Sequence, residues 1–148
     1  MAASDVTITE IAIREDTVYQ TVQVSEAVDR GDVIYRGNGG VWAKADADAD
    51  ATGQAAGRDG IGFALTPAEQ ANEFVIVATS GDLKIDTGLT KGETYIVSDT
   101  SGKMALQSDI GSGFWSTVLG TAGEEGGGGT ESLDEFVMQP IVSNQQVA

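Results

Sequence analysis

The residues whose types and spacing could support chemistry are few. Asp46, Asp48 and Asp50 alternate with alanine and resemble the opening of a calcium loop. Such a loop needs oxygen ligands at its first, third and fifth positions, glycine at the sixth and a bidentate acid at the twelfth. Here the sixth position is Ala51 and the twelfth is Gly57, so the pattern fails where the geometry is most demanding. A solvated acidic loop with no metal site is expected over 45–57, weak calcium binding being the alternative. Gly126, Gly127, Gly128 and Gly129 lack the Gly-Lys-Ser/Thr ending of a phosphate-binding loop, and Glu124, Glu125 and Glu131 around them would repel phosphate. A flexible loop over 123–132 is the expectation. Carboxylates are abundant, but no spacing singles out a pair for acid–base work, and most adjoin turn residues.

The chain contains no histidine and no cysteine. Thiolate nucleophiles, disulfides, Cys/His zinc sites and Ser-His-Asp or Cys-His arrangements are therefore excluded. Twenty-three acids against eight bases give a formal net charge of −15 over 148 residues. Such a surface is repelled by phosphate backbones and anionic membranes, and the scattered bases form no patch for nucleic acid. No nucleic-acid partner, no membrane association, no cofactor and no catalytic residue are expected. The first five residues lack the basic start and apolar run of a signal peptide, and no apolar stretch reaches about 18 residues, the length of a membrane-spanning helix. The expected place of synthesis is a cytoplasm, left only by assembly into something that leaves.

The elements that position these residues are short β-branched or aromatic runs closed by glycine turns. Val6, Ile8, Ile11 and Ile13 change phase midway, which predicts a bulge or two short strands. Val18, Val22 and Val24 are expected on one face of the next strand, with Tyr19, Thr21 and Gln23 on the other. Arg36-Gly37-Asn38-Gly39-Gly40 predicts a hairpin between Val33-Ile34-Tyr35 and Val41-Trp42-Ala43-Lys44. Thr66, Pro67 and Glu69 together read as the start of a very short helix. Ser80-Gly81-Asp82 predicts a turn between two strands, and Gly102-Lys103 another. Pro140, between Phe136-Val137-Met138 and Ile141-Val142, marks an edge position. Trp42, Trp115, Tyr35, Tyr95, Phe63 and Phe74 lie within strand runs and are expected in the core. The pattern predicts an all-β fold: one compact domain of roughly ten short antiparallel strands, a sandwich or small barrel. The expected division is a strand-prone N-terminal arm over 1–20, the β domain over 21–142 and a loose tail over 143–148.

Gly31-Asp32-Val33-Ile34-Tyr35 followed by Gly60-Ile61-Gly62-Phe63-Ala64-Leu65 resembles the strand pair of small phage capsid decoration (head cement) proteins. Gly92-Glu93-Thr94-Tyr95-Ile96-Val97-Ser98, then Gly102, then Val118-Leu119-Gly120-Thr121-Ala122, is similar to a later run in that family and in tail-associated β modules. The resemblance covers about residues 30 to 122. It implies a non-enzymatic structural protein of the virion, commonly a homotrimer. Such a protein binds the outside of the head between major capsid subunits and holds them against internal DNA pressure. On that basis the arm is expected to reach a neighbouring subunit, with Val6, Ile8, Ile11, Ile13, Val18 and Tyr19 as contact residues. The residues themselves leave open a tail-fibre or other receptor-binding β module, a small enzyme of the trimeric β type using acids alone or with a metal, and a plain cellular scaffold or storage protein.

Overall fold

The computed structural model describes residues 5–6, 8, 10–47, 57, 59–85, 89, 92–98, 100–109, 115–123 and 134–146. Among the described residues there are eleven strands: β1 Asp5–Val6, β2 Ile11–Ile13, β3 Val18–Gln23, β4 Val33–Arg36, β5 Trp42–Lys44, β6 Ile61–Ala64, β7 Phe74–Ile85, β8 Thr94–Val97, β9 Met104–Leu106, β10 Trp115–Ala122 and β11 Asp134–Gln146. All named pairings are antiparallel, in the order β1-β9-β8-β10-β11-β7-β6-β4-β5, with β2 and β3 also on β7. The fold is all-β, a single antiparallel sheet curled into a half-barrel. Backbone bonds tie the β8–β9 turn to the start of β4 and to the segment after β5. Val33 N–H donates to Gly102 O (2.9 Å), Gly102 N–H to Ala45 O (2.8 Å) and Ala47 N–H to Ser98 O (2.8 Å).

β7 organises the sheet. Its first half pairs with β3 and β6, its second half with β2 and β11. The turn expected at Ser80-Gly81-Asp82 is absent, because Gly81 at φ 98° lets the strand bend while its ladder continues. Between β2 and β3 a tight loop, Arg14 to Thr17, is pinned on this bend. Thr17 Oγ1 accepts from Arg14 N–H (2.7 Å) and donates to Asp82 O (2.6 Å), and Asp82 N–H donates to Asp16 Oδ1 (3.3 Å). A side chain at Gly81 would collide with the Asp16 carbonyl.

Two clusters form the core. The larger gathers Phe63, Phe136 and Tyr95 with Leu83, Ile85, Leu119, Met104 and Met138. Phe136 meets Phe63 edge-on at 5.7 Å and Tyr95 at 6.1 Å, an arrangement favoured by the ring quadrupoles. The smaller joins Val22, Val24, Ile34, Trp42, Val75 and Val77 with Val28 and Ala68 from connecting segments. Neighbours on one strand therefore enter different clusters, Val33 and Ile34 on β4, Phe63 and Ala64 on β6. This is why β6 is buried at all four positions.

Several expectations change. The N-terminal segment is not a free arm: β1 pairs with β9, β2 and β3 pair with β7, and a division at residue 20 cuts through β3. Thr66 starts no helix. Its Oγ1 accepts from Ile76 N–H (3.0 Å), and Ala68 bonds back to Val28, so the segment follows a bent, non-helical path over the smaller cluster. β11 is one strand as far as Gln146, where a loose tail had been expected from 143. Pro140 fits it because β7 pairs with β11 only as far as Met138, which leaves that side of Pro140 without a ladder to break. The two-short-strand reading of residues 6–13, the hairpin at Arg36 to Gly40 and the turn at Gly102 are all present. Asp48 and Asp50, most of the 45–57 and 123–132 loops, and the Trp115 side chain lie outside the described residues.

Candidate interaction surface

The six residues expected to make contacts divide by direction. Ile8 is 5% exposed, and Val6 and Ile11 are partly buried against the larger cluster, so these three hold the chain's own fold together. Ile8 in particular is corrected from contact residue to core. A Cβ on Gly31 would overlap it, which shows how closely the two segments approach. Ile13 (48%), Val18 (55%) and Tyr19 (53%) face outward on either side of the Arg14 to Thr17 loop. Val18 was expected to share the buried face of Val22. The ladder slips between Val18 and Tyr19, and the strand's inward phase starts only after that slip.

Phe74, expected in the core, is 65% exposed. It pairs with Gln23, as half-buried Ile76 pairs with exposed Thr21, so this end of β3–β7 presents an uncharged patch, whereas Ala78, opposite Tyr19, is buried in the larger cluster. The sequence carries a signal for this surface that strand patterning overlooks: residues 17–25 and 74–81 contain no charge, in a chain of net −15. Acids mark the ends of the β3 stretch, Glu15 and Asp16 before it and Glu26 after it.

Beside β3 lies an open groove of about 810 Å³. Gln20, Thr21, Val22 and Gln23 form one wall; Arg36, Gly40, Trp42 and Gly60 stand among the residues of the others. Trp42 is 3% exposed and offers almost no ring surface for stacking a sugar. A smaller cavity of about 560 Å³ is lined by Ile13, Arg14, Glu15, Asp16 and Asp82.

Among the described residues Asp32 is the one buried carboxylate with a resolved shift. Burial, the largest influence, raises its pKa above the ordinary value; the Asp29 N–H bond to Oδ2 (2.8 Å) and the Lys103 ammonium oppose the rise. It sits at the seam between β4 and the β8–β9 turn, where Gly102 packs against it. Among the described residues no three acidic side chains converge on a metal-sized site. Asp46, half-buried, follows Ala45, which is bonded to the β8–β9 turn. No family model, no curated protein and no solved structure matches this chain.

Proposed function

We propose that this chain is a structural assembly protein of a phage virion that decorates the outer surface of the head. It binds between major capsid subunits and resists the pressure of packaged DNA. The observation that carries the reading is the uncharged β3–β7 face, with Tyr19, Val18 and Phe74 exposed, in a molecule whose charge is otherwise strongly acidic. Exposed apolar residues on neighbouring uncharged strands mark a protein-binding surface, and the acidic remainder keeps copies soluble and off DNA. The sheet, cross-tied by backbone bonds from the β8–β9 turn to the ends of β4 and β5, suits a clamp that carries load without chemistry. The protein acts as a homotrimer in this reading, and needs no cofactor.

Mixing the purified protein with heads stripped of decoration tests this. A trimer that saturates the heads at fixed stoichiometry and raises their melting temperature is the expected result. A protein that ignores heads but binds cells or glycans would replace this reading with the receptor-binding module.

A further inference from the structure

We propose that Asn38 is a self-modification site, which converts in the folded protein to a mixture of aspartate and isoaspartate and so adds a carboxylate beside Arg36 at the groove. This modification is independent of the assembly reading.

The first condition is in the sequence. When glycine follows asparagine, the glycine amide nitrogen reaches the asparagine Cγ with no Cβ of its own in the way. An attack within one chain needs no encounter, only the freedom to bring the two atoms together. Asn38-Gly39 is the only Asn-Gly pair in the chain, and Asp59-Gly60, which can close the same ring, is the only Asp-Gly pair. Asn72 and Asn144 precede the larger Glu73 and Gln145.

Tertiary structure separates the two glycine pairs. At Asp59-Gly60 the attacking amide is engaged, since Gly60 N–H donates to Gly57 O (3.2 Å). Gly60 is also packed: a Cβ there would stand 3.2 Å from Arg36 Cβ and 3.6 Å from the Trp42 ring. At Asn38-Gly39 the bonds that close the hairpin come from the neighbours instead. Gly37 N–H donates to Val41 O (2.8 Å), and Gly40 N–H donates to Gly37 O (3.2 Å). Asn38 and Gly39 are both exposed, and beyond the adjacent residues nothing lies within 4 Å of a Cβ built on Gly39. Glycines at 37, 39 and 40 leave this tip the freedom that ring closure needs.

The reaction consumes one water and releases one ammonia. Gly39 N–H loses its proton to hydroxide, the nitrogen bonds to Asn38 Cγ, and the Cγ–N bond of the side-chain amide breaks. The amide nitrogen takes a proton from water and departs as ammonia. Water then opens the five-membered imide. Breaking the new N–Cγ bond gives aspartate, and breaking the original peptide bond gives isoaspartate, with the chain running through Cγ. Either product adds one negative charge to a chain of net −15. Arg36 lines the groove, and its Nη2 lies 3.6 Å from a Cβ built on Gly40, so the new carboxylate arises within reach of this guanidinium.

The test is storage of the purified full chain in mildly alkaline buffer, beside a sample held unfolded in urea. Ion exchange, peptide mass spectrometry and enzymatic methylation of isoaspartate follow the products. An acidic form should accumulate in the folded sample, its change confined to Asn38, with Asn72, Asn144 and Asp59 intact. Its rate should stay within a few-fold of that in urea. Gly39→Ala should slow it several-fold, because the space around Gly39 is open and the methyl obstructs only the attack. Asn38→Gln, which would have to close a six-membered ring, should remove the acidic form and keeps the test decisive if Gly39→Ala does not fold. An Asn38 that persists in the folded chain while the urea sample converts overturns the proposal. So does isoaspartate that appears first at Asp59.

Discussion

The Lys103 ammonium stands 3.8 Å from Asp32 Oδ1, across the seam that joins the β8–β9 turn to the start of β4. The partner is too distant for a tight pair, and the carboxylate is almost wholly buried, so desolvation prevails and its pKa is raised. A raised folded-state pKa means that the folded chain holds the proton more firmly than the unfolded chain. Stability from this group is therefore full below the unfolded carboxylate pKa and declines as pH rises through the folded one. Denaturant titrations of the parent and Asp32→Asn between neutral and acid pH should show the difference moving in the parent's favour as pH falls. A constant difference would remove Asp32 as the source.

Gly81→Ala should destabilise the chain by about 2–3 kcal/mol, since the added Cβ meets both a positive φ and the Asp16 carbonyl. Gly92→Ala shares the positive φ but has open space around it, so only about 1 kcal/mol is expected. Urea midpoints of the two variants separate backbone strain from collision.

Phe136→Ala should cost about 3–5 kcal/mol, because it leaves a cavity facing Phe63 and Tyr95 at the centre of the larger cluster. Thermal melts combined with loss of near-ultraviolet aromatic signal would register it.

Ile8→Ala should cost about 2–4 kcal/mol, as a core truncation does. Ile13→Ala, five residues on, should stay within about 0.5 kcal/mol because its side chain already faces water. Equal costs would contradict the division of the N-terminal segment into an inward and an outward half.

Phe74→Ser should leave stability within about 0.5 kcal/mol of the parent and weaken binding to heads. Sedimentation with stripped heads measures the second effect. Full binding with Phe74 removed would take the β3–β7 face out of the contact.

Local chemistry made much of this fold legible. The phase change between Ile8 and Ile11 marked two strands, and Arg36 to Gly40 marked a hairpin, because alternation and positive-φ residues act within a few residues. Thr66 and Pro67 misled for the same reason: the cap pattern is local, and a distant amide, Ile76 N–H, claimed the hydroxyl. Gly81 also misled. A glycine between two apolar runs reads as a turn, and only the Arg14 to Thr17 loop packed on it makes it a bend inside one strand. Phe74 looked like core because strand propensity is silent on which face another layer will cover.

By itself the sequence determined the all-β class and the acidic surface, through alternation, glycine spacing and an excess of carboxylates. With no histidine or cysteine it also ruled out the chemistry those side chains carry. Tertiary structure decided which half of the N-terminal segment turns inward, that β7 serves four partners, and that a groove lies beside β3. Those outcomes depend on pairings between residues about sixty to seventy positions apart, such as Ile13 with Leu83 and Tyr19 with Ala78. Each strand's pattern permits many partners, and only simultaneous packing of both clusters selects one set.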